Sequence, residues 1–231
     1  MAIKTKVTSD LHGYLPNVRG KFDLMLICGD VCPAHDHYYA YQAEWLVNDF
    51  AEWIMSLSFN DKNSKVVMIP GNHDWAFEKF DGFKEELYEN TKGRLVVLIN
   101  EEYVFEKGSD SLSIFGTPYC KQFFNWAFML PDELLQVKYS TIPYGCDILL
   151  THDAPDINGL GTISQGFQNG VNAGNKLLAT EVMEKHPRYL FCGHIHSGNH
   201  KLFEHEGIKM ANVSYVDERY EPVNKILKVE I

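Results

Sequence analysis

The stretch FDLMLICGD, residues 22–30, determines the fold prediction. Residues 22–28 form a mostly apolar run of strand length, which is typical of a strand buried on both faces in a parallel sheet covered by helices. Gly29 and Asp30 end that strand. Glycine has no side-chain bulk, so the loop can approach an ion closely, and the Asp30 carboxylate can bind one. A predicted strand followed by a residue able to bind a metal occurs four more times along the chain.

The remaining sequence alternates between strand and helix patterns in its first half and contains hairpin patterns later. Further strands are predicted at residues 3–9, 65–69, 95–99, 102–106, 112–115, 147–150 and 189–192. Alternating residues predict antiparallel strands at 201–204, 208–212 and 225–231. Helices are predicted at 38–57, 83–90, 131–140 and 176–185. This order predicts an α/β fold of two packed sheets with helices outside, in a single domain covering residues 1–231.

Five short segments at the predicted strand ends carry the candidate metal ligands. They are Asp10-Leu-His12, Gly29-Asp30, Gly71-Asn72-His73-Asp74, Thr151-His152 and Gly193-His194-Ile-His196. In an extended segment residues i and i+2 point to the same side, so the pairs Asp10/His12 and His194/His196 could each reach one ion. Oxygen and nitrogen ligands without sulfur suit Mn, Fe, Zn, Co or Ni rather than Cu(I) or an iron–sulfur cluster. The segments together predict a site for two adjacent divalent cations.

Composition and charge narrow the classes of function. The 21 Lys and Arg residues against 31 Asp and Glu residues give a formal net charge of −10, which disfavours nucleic acid or an anionic membrane as a partner. The sequence has no apolar segment of membrane-spanning length, no signal peptide, no P-loop and no G-x-S-x-G motif. Its five cysteines are odd in number and irregularly spaced, which predicts buried free thiols in a cytoplasmic protein.

With these motifs in this order, the sequence resembles the calcineurin-like metallophosphoesterase superfamily over roughly residues 5 to 200. The resemblance implies a four-layer fold of two mixed sheets between helices. It also implies that Asp10, His12 and His196 bind one metal, that Asn72, His152 and His194 bind a second, and that Asp30 bridges both. The segments Phe115–Tyr119, Asn125–Phe128, Asp147–Pro155 and Cys192–Gly198 further resemble the metallophosphoesterase-domain-containing phosphodiesterases, some of which hydrolyse cyclic nucleotides.

The predicted activity is therefore hydrolysis of a small phosphodiester by a hydroxide that bridges two cations, with Mn²⁺ favoured. His73 is the candidate general acid that protonates the leaving alkoxide. Asp74 is expected either to orient the His73 ring by a hydrogen bond or to serve as a plain turn cap.

Three alternatives stay open at this point. One is a phosphomonoesterase or protein phosphatase, which is disfavoured because Val31-Cys-Pro-Ala-His35 follows Asp30 and Asp74 stands where that branch has Glu. A nuclease is disfavoured by the acidic charge. A catalytically inactive scaffold on the same fold is disfavoured because all seven predicted ligands and His73 are present. The sequence leaves the oligomeric state open.

The other histidines and the aromatic residues receive ordinary structural interpretations. His35 and His37 are expected in a solvated loop, with a place in the lining of the cleft as the alternative. His186, His200 and His205 are expected at the surface or a sheet edge. Phe123, Phe124, Trp126 and Phe128 are expected to pack in the core, with an exposed ring that stacks on a nucleobase as the alternative. Residues 158–175, rich in Gly, Asn and Ser, are expected to form a loop without an identifiable role.

Overall fold

A computed structural model of the chain describes residues 2–231. In chain order its strands are β1 (Lys4–Thr8), β2 (Leu24–Cys28), β3 (Lys65–Ile69), β4 (Leu95–Val97), β5 (Glu101–Lys107), β6 (Asp110–Thr117), β7 (Cys120–Lys121), β8 (Met129–Leu130), β9 (Ile148–Thr151), β10 (Tyr189–Cys192), β11 (Phe203–His205), β12 (Ile208–Asn212) and β13 (Leu227–Glu230). Its α-helices are α1 (Tyr39–Trp45), α2 (Ala51–Ser56), α3 (Ala76–Lys79), α4 (Phe83–Asn90), α5 (Asp132–Ser140) and α6 (Lys176–Lys185).

The strands form two large sheets. The first has the order β13-β1-β2-β3-β4, in which β1 to β4 are parallel and β13 is antiparallel at the edge. The second has the order β11-β12-β10-β9-β6-β5, with four parallel strands in the centre and an antiparallel strand at each edge. Because the central strands of each sheet are parallel, their carboxyl ends lie along one edge of that sheet.

Strand β2 shows how the sheets are buried on both faces. Leu24, Leu26 and Cys28 belong to the apolar layer between the two sheets. Met25 and Ile27 alternate with them and belong to the layer under the first-half helices. This is why residues 22–28 lack the polar alternation of a half-exposed strand.

A third apolar layer lies on the outer face of the second sheet. There Leu149 of β9 and Leu190 of β10 belong to one cluster with Leu135 and Tyr139 of α5 and Leu178 of α6. The order of layers is therefore helices, sheet, sheet, helices, and the predicted α/β class with two packed sheets is confirmed.

The predicted element bounds agree closely with the structure, with three differences. The predicted helix at residues 38–57 is divided into α1 and α2 by a π-helical turn at Leu46–Phe50. The short elements α3, β7 and β8 were missed, because segments of two to four residues carry almost no periodic signal. The tail strand β12 is antiparallel to β11 as predicted, but its other neighbour, β10, is parallel to it.

Two further predictions concern the cysteines and membrane-spanning helices. All five cysteines are buried and unpaired, as predicted. Within residues 2–231, no helix has both the length and the apolar character required to cross a bilayer.

Candidate metal centre

The structure brings the seven predicted ligands together at the carboxyl ends of neighbouring strands. Each ligand follows a central strand directly or within a few residues: Asp10 and His12 after β1, Asp30 after β2, Asn72 after β3, His152 after β9, and His194 and His196 after β10. The first three strands belong to one sheet and the last two to the other. The site therefore lies where the carboxyl ends of both sheets meet.

One group consists of Asp10, His12 and His196, whose ligand atoms lie within 4.8 Å of one another. His12 Nε2 is 3.2 Å from His196 Nε2, and His196 Nε2 is 3.5 Å from Asp10 Oδ1. All three residues are buried. Two imidazole nitrogens facing each other beside a carboxylate are a suitable donor set for one divalent cation.

A second group adjoins the first through Asp30. Its Oδ2 lies 3.2 Å from His152 Nε2 and 3.7 Å from His12 Nε2. Asn72 Oδ1 is 3.0 Å from the same His152 nitrogen, and the His194 ring centroid is 5.2 Å from that of His152. Asp30 thus contacts residues of both groups.

The hydrogen bonds behind two of the histidines show that these residues fit a cation. His152 Nδ1 is 2.7 Å from the Cys28 carbonyl oxygen, and His196 Nδ1 is 3.0 Å from that of Asp217. Because a carbonyl only accepts, Nδ1 carries a hydrogen in each ring and Nε2 is directed toward the site. Each Nε2 faces a carboxylate oxygen, and although burial opposes the shift, that carboxylate raises the pKa of His152 to about 10 and the pKa of His196 to about 8. The proton on each Nε2 therefore occupies a position that a metal cation can take, with the neutral ring as its ligand. Backbone carbonyls commonly hold metal-binding histidines in this way.

The backbone around the ligands is tight rather than extended. Asp10, His12 and His194 have φ of 51°, 44° and 65°. The expected extended i, i+2 geometry is therefore wrong. Asp10 and His12 still belong to one group, whereas His196 lies with them and His194 lies with His152. The Asp10 carboxylate accepts hydrogen bonds from the His194 N–H at 3.1 and 3.2 Å and from Ser214 Oγ at 2.7 Å, and these fix the turns.

Gly29 allows the two groups to approach each other. Its φ is +98°, and a Cβ there would lie 2.5 Å from His152 Nδ1 and 2.8 Å from the Pro70 carbonyl oxygen. A side chain would therefore displace His152 and the strand end beside it. Glycine before Asp30 is therefore required by the close approach of His152 and Pro70, and the approach to an ion stays a prediction.

The electrostatics of the site favour bound positive charge. Burial alone would raise the pKa of Asp10, but the hydrogen bond and charge of His196 hold it below its usual range. Burial likewise opposes ionisation of Asp30, yet His152 and His73 hold its pKa well below normal. Burial would lower the pKa of His152, but Asp30 raises it to about 10. Both carboxylates are thus ionised and attract a cation.

His12 differs from His152 in its protonation. Burial, with the positive charge of His196, lowers the pKa of His12 to about 3 although Asp30 and Asp10 oppose the shift. The His12 ring is therefore neutral at pH 7, which is the form that binds metal.

His73 lies beside the two groups but belongs to neither of them. Its backbone N–H donates to Asp30 Oδ1 at 2.7 Å, and its backbone carbonyl oxygen accepts from Gln42 Nε2 at 2.7 Å. Its ring nitrogen Nε2 is 4.0 Å from Asp30 Oδ2. Burial lowers the pKa of His73, with Asp30 opposing the shift. His73 thus presents a titratable ring to the site.

The expected hydrogen bond from Asp74 to the His73 ring is wrong. The Asp74 carboxylate instead accepts from the backbone N–H groups of Gly71 at 2.8 Å, Cys32 at 2.9 Å and Val31 at 3.2 Å. Its oxygens are used to join the two loops that carry Asp30 and Asn72. The alternative expectation, a structural loop cap, describes its contacts.

Sequence reasoning missed three residues around the site. His37 Nε2 is 2.9 Å from His73 Nδ1, so the solvated-loop prediction is wrong for His37, while His35 is exposed as expected. The Trp126 ring centroid is 4.4 Å from that of His73. The Tyr220 ring is 4.7 Å from His12. His37 and Trp126 were visible as candidates, whereas Tyr220 follows no motif that could have indicated it.

The predicted core packing of the aromatic loop is correct only in part. Phe128 is buried, Trp126 is half-buried, and Phe123 and Phe124 are exposed. Packing on histidine rings rather than in the core explains the position of Trp126. Of the remaining histidines, His186 is exposed and His200 and His205 are half-buried, as expected for surface or edge residues.

A cleft and a long loop lie next to the candidate metal centre. A cleft of about 370 Å³ opens beside it and is lined by His12, Gly13, Tyr14, Pro33, Ala34, His35, Tyr41, Trp45 and Tyr220. The loop at residues 158–175 contains one 3₁₀ turn, Gly166–Gln168. Ser164 in that loop exchanges two hydrogen bonds with Ser197, next to His196.

A two-sheet α/β sandwich that gathers carboxylate, imidazole and amide groups at its strand ends has the architecture of a metal-dependent hydrolase. The family model described as calcineurin-like phosphoesterase matches residues 3–198, and the chain belongs to that family. The family resemblance inferred from the motifs is thereby confirmed, and with it a divalent-metal cofactor class.

Relatives and solved structures agree with this family. The chain is 28% identical over 204 residues to human "metallophosphoesterase domain-containing protein 1", covering 80% of this chain and 59% of that protein. The chain thus spans about three-fifths of that relative's length. The protein TT1561 of Thermus thermophilus has a TM-score of 0.60 at 12% identity, covering 100% of this chain and 99% of that one. Phosphopantetheinyl hydrolase of Mycobacterium tuberculosis has a TM-score of 0.56 at 12% identity, covering 94% and 90%. At such identities these structures show the fold alone.

Proposed function

We propose that this chain is a dinuclear metal-dependent phosphodiesterase that hydrolyses small phosphodiesters, cyclic nucleotides among them. One observation carries the proposal: seven oxygen and nitrogen donors, the Asp30 carboxylate among them, form two adjoining groups, and a separate histidine, His73, lies beside them without belonging to either group. A site that only stored metal would have no use for that additional titratable ring.

The donor set divides into two cation positions. Asp10, His12 and His196 would hold one cation, Asn72, His152 and His194 the other, and the Asp30 carboxylate would be shared. Mn²⁺ is the favoured metal at both positions, because nitrogen and oxygen donors suit the harder transition metals. Two cations held there supply charge stabilisation at the phosphoryl oxygens and lower the pKa of a water that attacks phosphorus.

His73 would act on the leaving group of the reaction. When the phosphodiester is cleaved, the leaving alkoxide needs a proton, and a positioned imidazole can supply it. His73 Nε2 lies 4.0 Å from Asp30 Oδ2, so it faces the place where the phosphate would sit. The Asn72 amide would assist by donating to a phosphoryl oxygen.

The proposed substrate is small. The adjoining cleft of about 370 Å³ is in the range of small-ligand sites. The net charge of −10 argues against long nucleic acid and against an anionic membrane face. We further propose a cytoplasmic location, which the buried free thiols favour.

A substrate panel assayed with Mn²⁺ tests the proposal. It compares bis-aryl phosphate, mono-aryl phosphate, and 3′,5′- and 2′,3′-cyclic nucleotides. We expect the diesters to have the higher kcat/KM. Preference for the monoester would replace the proposal with a phosphomonoesterase, and absence of all turnover in protein shown to contain metal would indicate an inactive scaffold.

A further inference from the structure

The ring of His73 has a hydrogen-bond partner that none of the metal-site motifs contains. His37, in the segment before α1, places Nε2 2.9 Å from His73 Nδ1. The two ring centroids are 5.0 Å apart. His73 Nε2 therefore points away from His37, on the side of the ring where Asp30 lies.

Trp126 encloses this pair of rings. Its indole packs edge-on against His37 at 4.8 Å and tilted against His73 at 4.4 Å. The adjoining Ala127 N–H donates to the Asn72 carbonyl oxygen at 3.1 Å, so the Trp126 loop is joined to the turn that carries His73. The ring of His37 is thus held between His73 and a fixed aromatic wall.

The region around α1 holds His73 in two ways. Gln42 fixes the backbone, because its Nε2 donates to the His73 carbonyl and its Oε1 accepts from the Ala76 N–H. His37 contacts the side chain. With its backbone fixed, the His73 ring can still rotate about the bond to Cβ, and only a side-chain contact limits that rotation.

We propose that His37 is a positioning residue that orients the His73 ring for proton donation to the leaving group. The inference rests on the proposed function, in which His73 is the general acid. As a general acid His73 is the imidazolium, which carries a hydrogen on both ring nitrogens. Its Nδ1–H then donates to His37 Nε2, and its Nε2–H faces the site. After Nε2 has given its proton to the leaving alkoxide, the neutral ring keeps the hydrogen on Nδ1 and its hydrogen bond to His37. His37 therefore sets the orientation of the His73 ring.

The chain offers a matched control for this role. His205 is half-buried like His37 but lies on the edge strand β11, where it pairs with Ile208 of β12. It does not line the cleft beside the metal centre. The test compares His37→Ala, His37→Gln and His205→Ala, since the Gln amide can reach the position of His37 Nε2.

Each Mn²⁺-loaded variant is assayed on one diester with a nitrophenolate leaving group and one with an alkoxide leaving group. We expect His37→Ala to lower kcat for the alkoxide diester by about 10-fold to 100-fold, a fraction of the ~10²–10⁴ that a general acid supplies. KM, metal content and turnover of the nitrophenyl diester should stay near wild type, because nitrophenolate leaves without a proton. His37→Gln should restore most of the loss, and His205→Ala should match wild type.

Equal slowing of both diesters, or an alkoxide rate unchanged in His37→Ala, would overturn the inference. So would a His37→Gln variant no better than His37→Ala. A wild-type protein that cleaves neither diester would instead refute the proposed function. In that case ¹⁵N NMR of the zinc-loaded protein still tests whether His37 contacts the His73 ring. A His73 Nδ1 resonance shifted by His37→Ala but not by His205→Ala supports the positioning role, and one unchanged by both overturns it.

Discussion

Asp30 is the residue on which the site most depends. Its Oδ2 faces the nitrogens of His12 and His152, while its Oδ1 accepts the N–H of His73. One carboxylate thus supplies negative charge to both donor groups and anchors the turn that carries His73, the proposed acid. Removing its charge while keeping its shape separates these two contributions.

Asp30→Asn is therefore expected to keep the fold and lose the metals. An amide oxygen can still accept from the His73 N–H, but it no longer neutralises two cations. Loss of a residue that only hydrogen-bonds a metal ligand typically lowers metal affinity or activity by about 10-fold to 100-fold. Asp30 is itself a proposed ligand, so kcat/KM should fall by more than about 100-fold. Metal analysis of the purified protein and circular dichroism measure the two effects, with the exposed Glu52→Gln on α2 as control. A variant that retains both metals would contradict the shared assignment.

At the scale of elements, Asp23 joins parts of both sheets just before β2. Its carboxylate accepts from the Lys4 N–H at 2.8 Å, from Asn60 Nδ2 at 2.7 Å and from Lys107 Nζ at 2.6 Å. Lys4 begins β1 of the first sheet, and Lys107 ends β5 of the second. Burial alone would raise the pKa of Asp23, but Lys107, Asn60 and the Lys4 N–H together lower it.

The lowered pKa gives Asp23 a defined pH dependence. Because the folded pKa lies below the unfolded value, the carboxylate stabilises the fold above the unfolded pKa, and the contribution is lost as pH falls through the folded pKa. We expect Asp23→Asn to reduce the free energy of unfolding by about 1–3 kcal/mol at pH 7. The difference from wild type should shrink below about pH 4. Urea denaturation at several pH values measures it, with Glu204→Gln on β11 as the equal-charge control. A difference independent of pH would show that the carboxylate's charge does not contribute.

At the scale of the whole molecule, the sequence predicts what short segments encode. Residues 65–69, 83–90, 176–185 and 189–192 match β3, α4, α6 and β10, because buried strands and amphipathic helices leave local patterns. The ligands were predictable for the same reason, since each follows a strand end. The contact of His37 with His73 and the position of Tyr220 beside His12 were not, because both depend on residues far apart in sequence. The role of Asp74 was predicted wrongly because its hydrogen-bond partners Val31 and Cys32 are more than 40 positions away.

Four of the five cysteines belong to the three apolar layers of the molecule, and the fifth, Cys120, is buried on β7. Cys28 lies between the sheets, Cys32 under the first-half helices, and Cys146 and Cys192 under α5 and α6. Burial raises the pKa of the Cys28, Cys32, Cys120 and Cys192 thiols well above normal and that of Cys146 to about 12. A thiol that is buried and protonated does not react with alkylating reagents, so labelling requires the layer around it to open.

The prediction of a single domain has a testable consequence for this labelling. If the three layers unfold as one unit, iodoacetamide should label all five cysteines with one common urea midpoint, equal to the midpoint of the circular dichroism signal. Mass spectrometry of the labelled chain resolves each site, and full labelling in concentrated denaturant is the control for reagent access. Molecules carrying label on Cys146 and Cys192 alone, at urea concentrations below the midpoint, would show that the second sheet and its helices open separately. The chain would then fold as two cooperative units joined at the metal centre.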